Sequence, residues 1–137
     1  MLFRSHESFG SIVALVLEVS LSGQALRVHR AVCAVDCGTV VNPDGVAQQV
    51  EGSIVFGLSA ALRGQIDIVD GVVQQKNFPD QMPLLLREAP AVETHLLPSE
   101  APPTGMGEPA VPPVAPALAN ALFTLTGRRQ RALPLSA

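Results

Sequence analysis

Two apolar runs joined by a short turn constrain this chain more than any other feature. The first, Ile12-Val13-Ala14-Leu15-Val16-Leu17-Glu18-Val19, carries a single charge. A short run this rich in β-branched residues and leucine reads as a strand buried on both faces. Ser22-Gly23-Gln24 follows as a turn signal. Leu26 to Val35 is the second run, in which Leu26, Val28 and Val32 alternate with Arg27, His29 and Cys33. Together they predict an antiparallel hairpin. Such a hairpin cannot sit alone in water, so the fold must supply further layers to cover it.

The covering layers are legible downstream. Asn42 is a good helix N-cap and Pro43 suits the first helical position. Val46, Val50, Ile54, Leu58 and Leu62 then recur every fourth residue as one apolar stripe. Gly52 and Gly57 interrupt this helix at a cost of about 1 kcal/mol each against alanine, which predicts close approach of another backbone or a ligand. Gly64 is the expected C-terminal cap. Gln65 to Val73 reads as a second hairpin around Asp70-Gly71. Asn77 to Pro90 is irregular, and Ala91 to Leu97 alternates as a half-exposed strand. A last helix is predicted from about Val111 or Pro113 to Thr126, closed by Gly127, with Arg128, Arg129 and Arg131 complementing its C-terminal dipole. The expected architecture is α+β: two β-hairpins and a further strand with two packed helices, forming a single domain over residues 1–137.

Composition narrows the function classes. Charged residues make up 15% of the 137 residues, below the usual share of about 25%. That deficit predicts that part of the surface is covered by other protein. The formal net charge is −3, and Trp and Tyr are absent, so nucleic acid is not an expected partner. Cys33 and Cys37 lie four residues apart on a predicted strand, roughly 13 Å, too far for a disulfide. They are expected as buried thiols. His6, His29 and His95 show no ligand spacing and are expected at the surface or in packing, so no side chain is expected to bind metal directly. Ile12 to Leu17 is far shorter than the ~20 apolar residues of a membrane span. The first eight residues, Met1 to Ser8, lack the charged-then-apolar order of a signal peptide. The expectation is a soluble protein, cytoplasmic or periplasmic.

The remaining signal is Gly105-Met106-Gly107-Glu108-Pro109. Two glycines allow unusual backbone angles and close approach. Pro109 fixes its own φ and biases Glu108 away from the α region. The carboxylate is thus mounted on a stiff turn, as a reacting group often is. A bland alternative is that Glu108 starts the last helix, where the dipole favours an acid. Met106 is expected either in packing or at the pocket wall. Asp36 is expected to accept turn amides, and Glu51 to be structural.

Three stretches in order carry a family resemblance: Cys33-Ala34-Val35-Asp36-Cys37-Gly38-Thr39-Val40-Val41-Asn42-Pro43, Gln49-Val50-Glu51-Gly52-Ser53-Ile54-Val55-Phe56-Gly57-Leu58, and Gly105-Met106-Gly107-Glu108-Pro109. They resemble the C-terminal part of the molybdenum-cofactor-binding (molybdopterin) subunit of the xanthine dehydrogenase and aldehyde oxidase family. His6-Glu7-Ser8-Phe9-Gly10-Ser11, Asn77-Phe78-Pro79-Asp80 and Glu88-Ala89-Pro90 are similar to the large (beta) subunits of the isoquinoline 1-oxidoreductase type. The resemblance covers nearly the whole chain. It implies an oxidoreductase that hydroxylates an N-heteroaromatic or aldehyde substrate with oxygen from water. It implies Glu108 as general base, with a pKa raised by burial. Gln49 maps onto a pterin contact, while Gly105 and Gly107 let their turn approach the cofactor. The cofactor implied is a molybdenum–pterin group of the molybdopterin type, including its cytosine dinucleotide form. The implied partners are the upstream part of the large subunit and a small subunit with iron–sulfur clusters. The competing expectation is a non-catalytic remnant or interaction module of the same family, without cofactor. The alternative for Gln48 and Gln49 is a solvated helix face.

Overall fold

The predicted hairpin lies in the middle of a four-stranded sheet. A computed structural model describes residues 2–23 and 25–135. The strands are β1 (Leu2–Ser8), β2 (Ser11–Ser22), β3 (Ala25–Asp36), β4 (Ile68–Val69), β5 (Val72–Val73) and β6 (Ala91–Leu96), with helices α1 (Pro43–Arg63) and α2 (Val114–Thr126). Sheet order is β1-β2-β3-β6, and β4 and β5 form a separate two-stranded ribbon. The turn expected at Ser22-Gly23-Gln24 joins β2 to β3, although its Gln24 lies outside the described residues. β1 is the strand that the sequence reading left out. It pairs antiparallel with β2 from Leu2↔Leu17 to Ser8↔Ser11. β6 runs parallel to β3. A parallel pair needs a long crossover, and α1 with the ribbon provides it.

Only one sheet face is fully buried, which corrects the expectation for Ile12 to Val19. Val13, Leu15 and Leu17 are wholly buried, whereas Ile12 on the opposite face is 48% exposed. The register slips between Glu18 and Val19: Glu18 faces Arg30, and Val19 faces Val28. His29 is the extra residue of this β-bulge. The bulge switches the inward positions of β3 from Leu26 and Val28 to Ala31, Cys33 and Val35. That switch explains why the alternation of β3 fades in the sequence. Cys33 and Cys37 are free, buried thiols as expected.

Both helices close over this face. α2 lies across β1 and β2, and α1 sits beside it toward β6. Asn42 caps α1, its Oδ1 accepting the Gly45 amide at 3.0 Å. The two helical glycines have different roles. A Cβ at Gly57 would sit 2.8 Å from Val114 Cγ2, so Gly57 is where α1 and α2 touch. A Cβ at Gly52 would meet nothing within 4 Å. α2 ends on Gly127 with φ 70, as the sequence predicts. The Asp70-Gly71 turn has positive φ at both residues, as a two-residue hairpin of this kind requires.

Residues 77–90 are tied back to the end of α1. The Leu84 amide donates to Ser59 Oγ at 3.0 Å, and the Arg63 guanidinium donates to the Pro83 carbonyl and to the Glu88 carboxylate. The Leu85 amide and then Arg63 hold the Glu88 carboxyl below its ordinary value. A depressed folded pKa contributes stability that is present above the unfolded value and lost as pH falls through the folded one. The urea midpoint of the chain is therefore expected to fall on acidification from about pH 6 to about pH 3, and Glu88→Gln should show a shallower fall. Parallel curves for the two proteins would remove Glu88 from the acid response.

Candidate functional site

The cleft that holds Glu108 is built from three segments. On α1, Gln49, Gly52, Ser53 and Phe56 follow the i, i+3, i+4, i+7 spacing and share one helix face. Within this face Ser53 is buried next to the apolar stripe, and Phe56 lies on the far side of the helix from it. The β1–β2 turn contributes Phe9, and the segment after Gly107 contributes Glu108. Together they line a cleft of about 540 Å³. A separate cleft of about 410 Å³, between α2 and residues 129–135, lies away from Glu108.

Residues 101–107 form a strap that mounts Glu108. Thr39 N donates to the Ala101 carbonyl at 2.8 Å, and Thr104 N donates to the Cys37 carbonyl at 3.0 Å. Gly105 N donates to the Phe9 carbonyl at 3.2 Å. Ser11 Oγ lies 2.7 Å from both Thr104 Oγ1 and the Gly105 carbonyl. The last anchor is Ser53 Oγ, donating to the Gly107 carbonyl at 3.2 Å. Pro109 and Ala110 are buried beyond it. Polar groups of three elements therefore fix the backbone on which Glu108 stands.

Several expectations change at this point. Neither Gly105 nor Gly107 has a positive φ. Gly105 is needed for closeness, since a Cβ there would sit 2.9 Å from the Phe9 Cβ. At Gly107 a Cβ would meet nothing within 4 Å, so bare backbone faces open space. Glu108 is exposed, not buried. It also lies outside the first turn of α2, which contains no acid, so the helix-start alternative has no support. Its own carbonyl instead accepts the Val111 amide at 3.0 Å in a tight turn. Met106 packs against the core. Asp36 Oδ1 accepts the Gly38 amide at 3.2 Å, as expected of a turn acid. Glu51 and Gln48 are exposed, and Gln49, also exposed, lines the cleft.

The sequence reading missed several residues of this cleft, His6, Phe9 and Phe56 among them. His6 lies on the helix side of edge strand β1 and lines the cleft, whereas His29 bonds Ser20 and His95 pairs with Glu93. Phe9 carries φ 54, and Phe56 is 68% exposed on α1. The missed signal was positional: Phe56 falls two residues from Ile54 and Leu58 of the apolar stripe, on the opposite side of the helix. Ser8 Oγ, in the cleft wall, is buried and makes no hydrogen bond. Among the described residues no cluster of three or more His, Cys, Asp or Glu could hold a metal ion. No helix among them is long and apolar enough to cross a membrane.

The sheet carries helices on one face, and an amide, a carboxylate and bare glycine backbone meet around one open cleft. Residues 4–90 match the molybdopterin cofactor-binding domain family, and the chain belongs to that family. The matched residues include Gln49 and the cleft face of α1 and end before Gly105. The chain is 38% identical over 125 residues to the isoquinoline 1-oxidoreductase subunit beta of Brevundimonas diminuta, covering 90% of this chain and 16% of that protein. It is 36% identical over 119 residues to a membrane-bound aldehyde dehydrogenase [pyrroloquinoline-quinone] of Gluconacetobacter polyoxogenes, covering 87% of this chain and 15% of that protein. The chain therefore spans about one sixth of the length of these relatives. Among solved structures, quinoline 2-oxidoreductase from Pseudomonas putida superposes with a TM-score of 0.77 at 23% identity, over 90% of this chain and 17% of that one. This structural likeness supports the fold.

Proposed function

We propose that this chain supplies the base-bearing wall of the molybdenum–pterin site in a hydroxylase of N-heteroaromatic or aldehyde substrates. The observation that carries this reading is the meeting of Gln49 on α1 and Glu108 on the strap at one cleft. The surroundings fit such a group in three ways. Gly52 and Gly107 leave backbone without side chain beside open space. The Ser8 hydroxyl has unused hydrogen-bonding capacity. The Gln49 amide both donates and accepts, which suits the alternating edge of a pterin.

When bound, the molybdenum–pterin group, of the molybdopterin type or its cytosine dinucleotide form, supplies the two-electron oxidation of the substrate carbon. Glu108 takes up the proton released as oxygen from water is transferred, which requires its carboxylate within about 2.6–3.2 Å of the donor. Gln49 orients the ring, and the Ser53–Gly107 bond keeps the strap against α1. The reading includes two partners: the rest of the large subunit, and a subunit with iron–sulfur clusters that accepts the electrons.

The test is co-expression with a segment that supplies the remainder of a large subunit. The purified complex should contain molybdenum and hydroxylate isoquinoline or an aldehyde, with label incorporated from ¹⁸O water. A stable complex with neither molybdenum nor turnover would overturn the reading and identify an interaction module instead.

A further inference from the structure

The cleft between α2 and residues 129–135 takes no part in the chemistry proposed for Glu108. Ala115, Ala119 and Asn120 of α2 form one wall, and Arg129, Arg131 and Leu133 of the tail after Gly127 form the other. The tail is pinned at both ends. Gly127 turns it off the helix, and Leu135 is buried in the core with its amide donating to the Ala61 carbonyl at 2.7 Å. The volume of about 410 Å³ lies within the usual range for a small-molecule site.

Charge here runs against the rest of the chain. The formal net charge is −3, yet all 12 acidic residues precede Pro109. After it come Arg128, Arg129 and Arg131 and no acid. Ion pairs among the described residues join Arg30 to Glu93, Arg63 to Glu88 and His95 to Glu93, so neither arginine of the cleft meets a carboxylate there. Arg129 is set in place by its own helix, with its guanidinium carbon 3.6 Å from the centre of the Phe123 ring. Stacking uses the face of the guanidinium and leaves its in-plane N–H donors for an oxyanion. With its amide oxygen toward β1, Asn120 accepts from the Arg4 guanidinium at 3.1 Å, which brings a further positive charge beside the cleft wall. The helix dipole favours cations in the last turn and fades beyond it. It therefore explains Arg128 better than Arg131, and it does not explain an apolar wall beside them.

We propose that this cleft binds a small amphipathic anion, with its carboxylate or phosphate on Arg129 and Arg131 and its apolar body on Ala115, Ala119 and Leu133. Arginine forks suit both headgroups. Leu133 is 57% exposed at the cleft and gains cover from such a body. The site is separate from Glu108 and does not depend on the proposed function.

Calorimetric titration of the full chain tests this. Benzoate and phenyl phosphate share an apolar body and differ in headgroup. Benzyl alcohol lacks the charge, and acetate and inorganic phosphate lack the body. At least one of the two amphipathic anions should bind at millimolar concentration, and all three controls should bind about tenfold more weakly or not at all. The tighter of the two names the headgroup, and either order supports the site. Arg131→Gln changes an exposed side chain and should weaken binding about tenfold, as should Leu133→Ser. Arg128→Gln removes the same charge from a residue outside the cleft lining and should leave affinity unchanged. Absence of binding by both amphipathic anions at millimolar concentration overturns the proposal. So do equal losses in Arg128→Gln and Arg131→Gln, which would mark a diffuse positive surface at a helix end.

Discussion

Gly38→Ala is expected to destabilise the chain by on the order of 3–5 kcal/mol and to release the strap that carries Glu108. Gly38 has φ +72, and a Cβ there would sit 2.1 Å from the Pro102 carbonyl oxygen and 2.8 Å from its carbon. The neighbours are backbone, so no side chain can swing away. The left-handed conformation alone costs a non-glycine residue about 1–2 kcal/mol. The remainder comes from pushing residues 101–104 off the end of β3, where Thr39 and Thr104 bond across the gap. Gly71→Ala separates the two effects. Gly71 has φ +76 with nothing within 4 Å of its Cβ position, so only the conformational cost applies. Urea denaturation of both variants gives the comparison. Equal losses would show that strap and strand end yield easily, and that Gly38 matters only for its φ. The loss at Gly38 is large against a total stability of about 5–15 kcal/mol for an ordinary domain.

The sequence carried the pieces of this fold whose signals are local. The Asn42-Pro43 cap, the every-fourth-residue stripe of α1, the Asp70-Gly71 turn and the Gly127 cap each follow from near neighbours, and each stands where it was read. Features set at a distance were less legible. β1 was hidden because Phe3-Arg4-Ser5-His6-Glu7 is an edge strand, whose exposed positions need no apolar alternation. The bulge at His29 shifts the phase of β3 through its partner strand, and a one-strand reading blurs across it. Two-sided burial was inferred for β2 from its continuous apolar run, but only the face toward α1 and α2 is fully covered. That leaves Ile12, with Phe3 on the neighbouring strand, on a partly exposed outer face.

The candidate site divides along the same line. Glu108 stood out because its neighbours in sequence are unusual, whereas Gln49 was picked out only through the family resemblance. The role of Gly105 was not legible, because it depends on Phe9, a residue that only the folded chain brings alongside. His6, Phe9 and Phe56 reached the site through β1 pairing and helix phase. These relatives are about six to eight times as long as this chain, which fits the open geometry. Glu108 stands exposed at the open cleft.

Glu108→Gln should lower kcat of the assembled enzyme by roughly 10²–10⁴-fold while leaving its molybdenum content unchanged. The amide is nearly isosteric with the carboxylate but has no basic oxygen to take a proton at neutral pH. Retention of metal follows from how the residue is mounted. The strap is held by Ser53 Oγ on the Gly107 carbonyl, by the Val111 amide on the Glu108 carbonyl, and by buried Pro109. None of these uses the Glu108 side chain, so its loss should not loosen the wall. Glu108→Asp adds a geometric test. It keeps the base but draws it back by one methylene, and a displacement near 1 Å can cost about 10²-fold. A base would therefore give Asp some residual rate and Gln less. A binding contact would shift KM in both variants and spare kcat. Molybdenum content and steady-state kinetics on one preparation of each variant decide between these outcomes. Turnover of Glu108→Gln within a few-fold of the parent, at equal metal loading, would take the proton-transfer role away from Glu108.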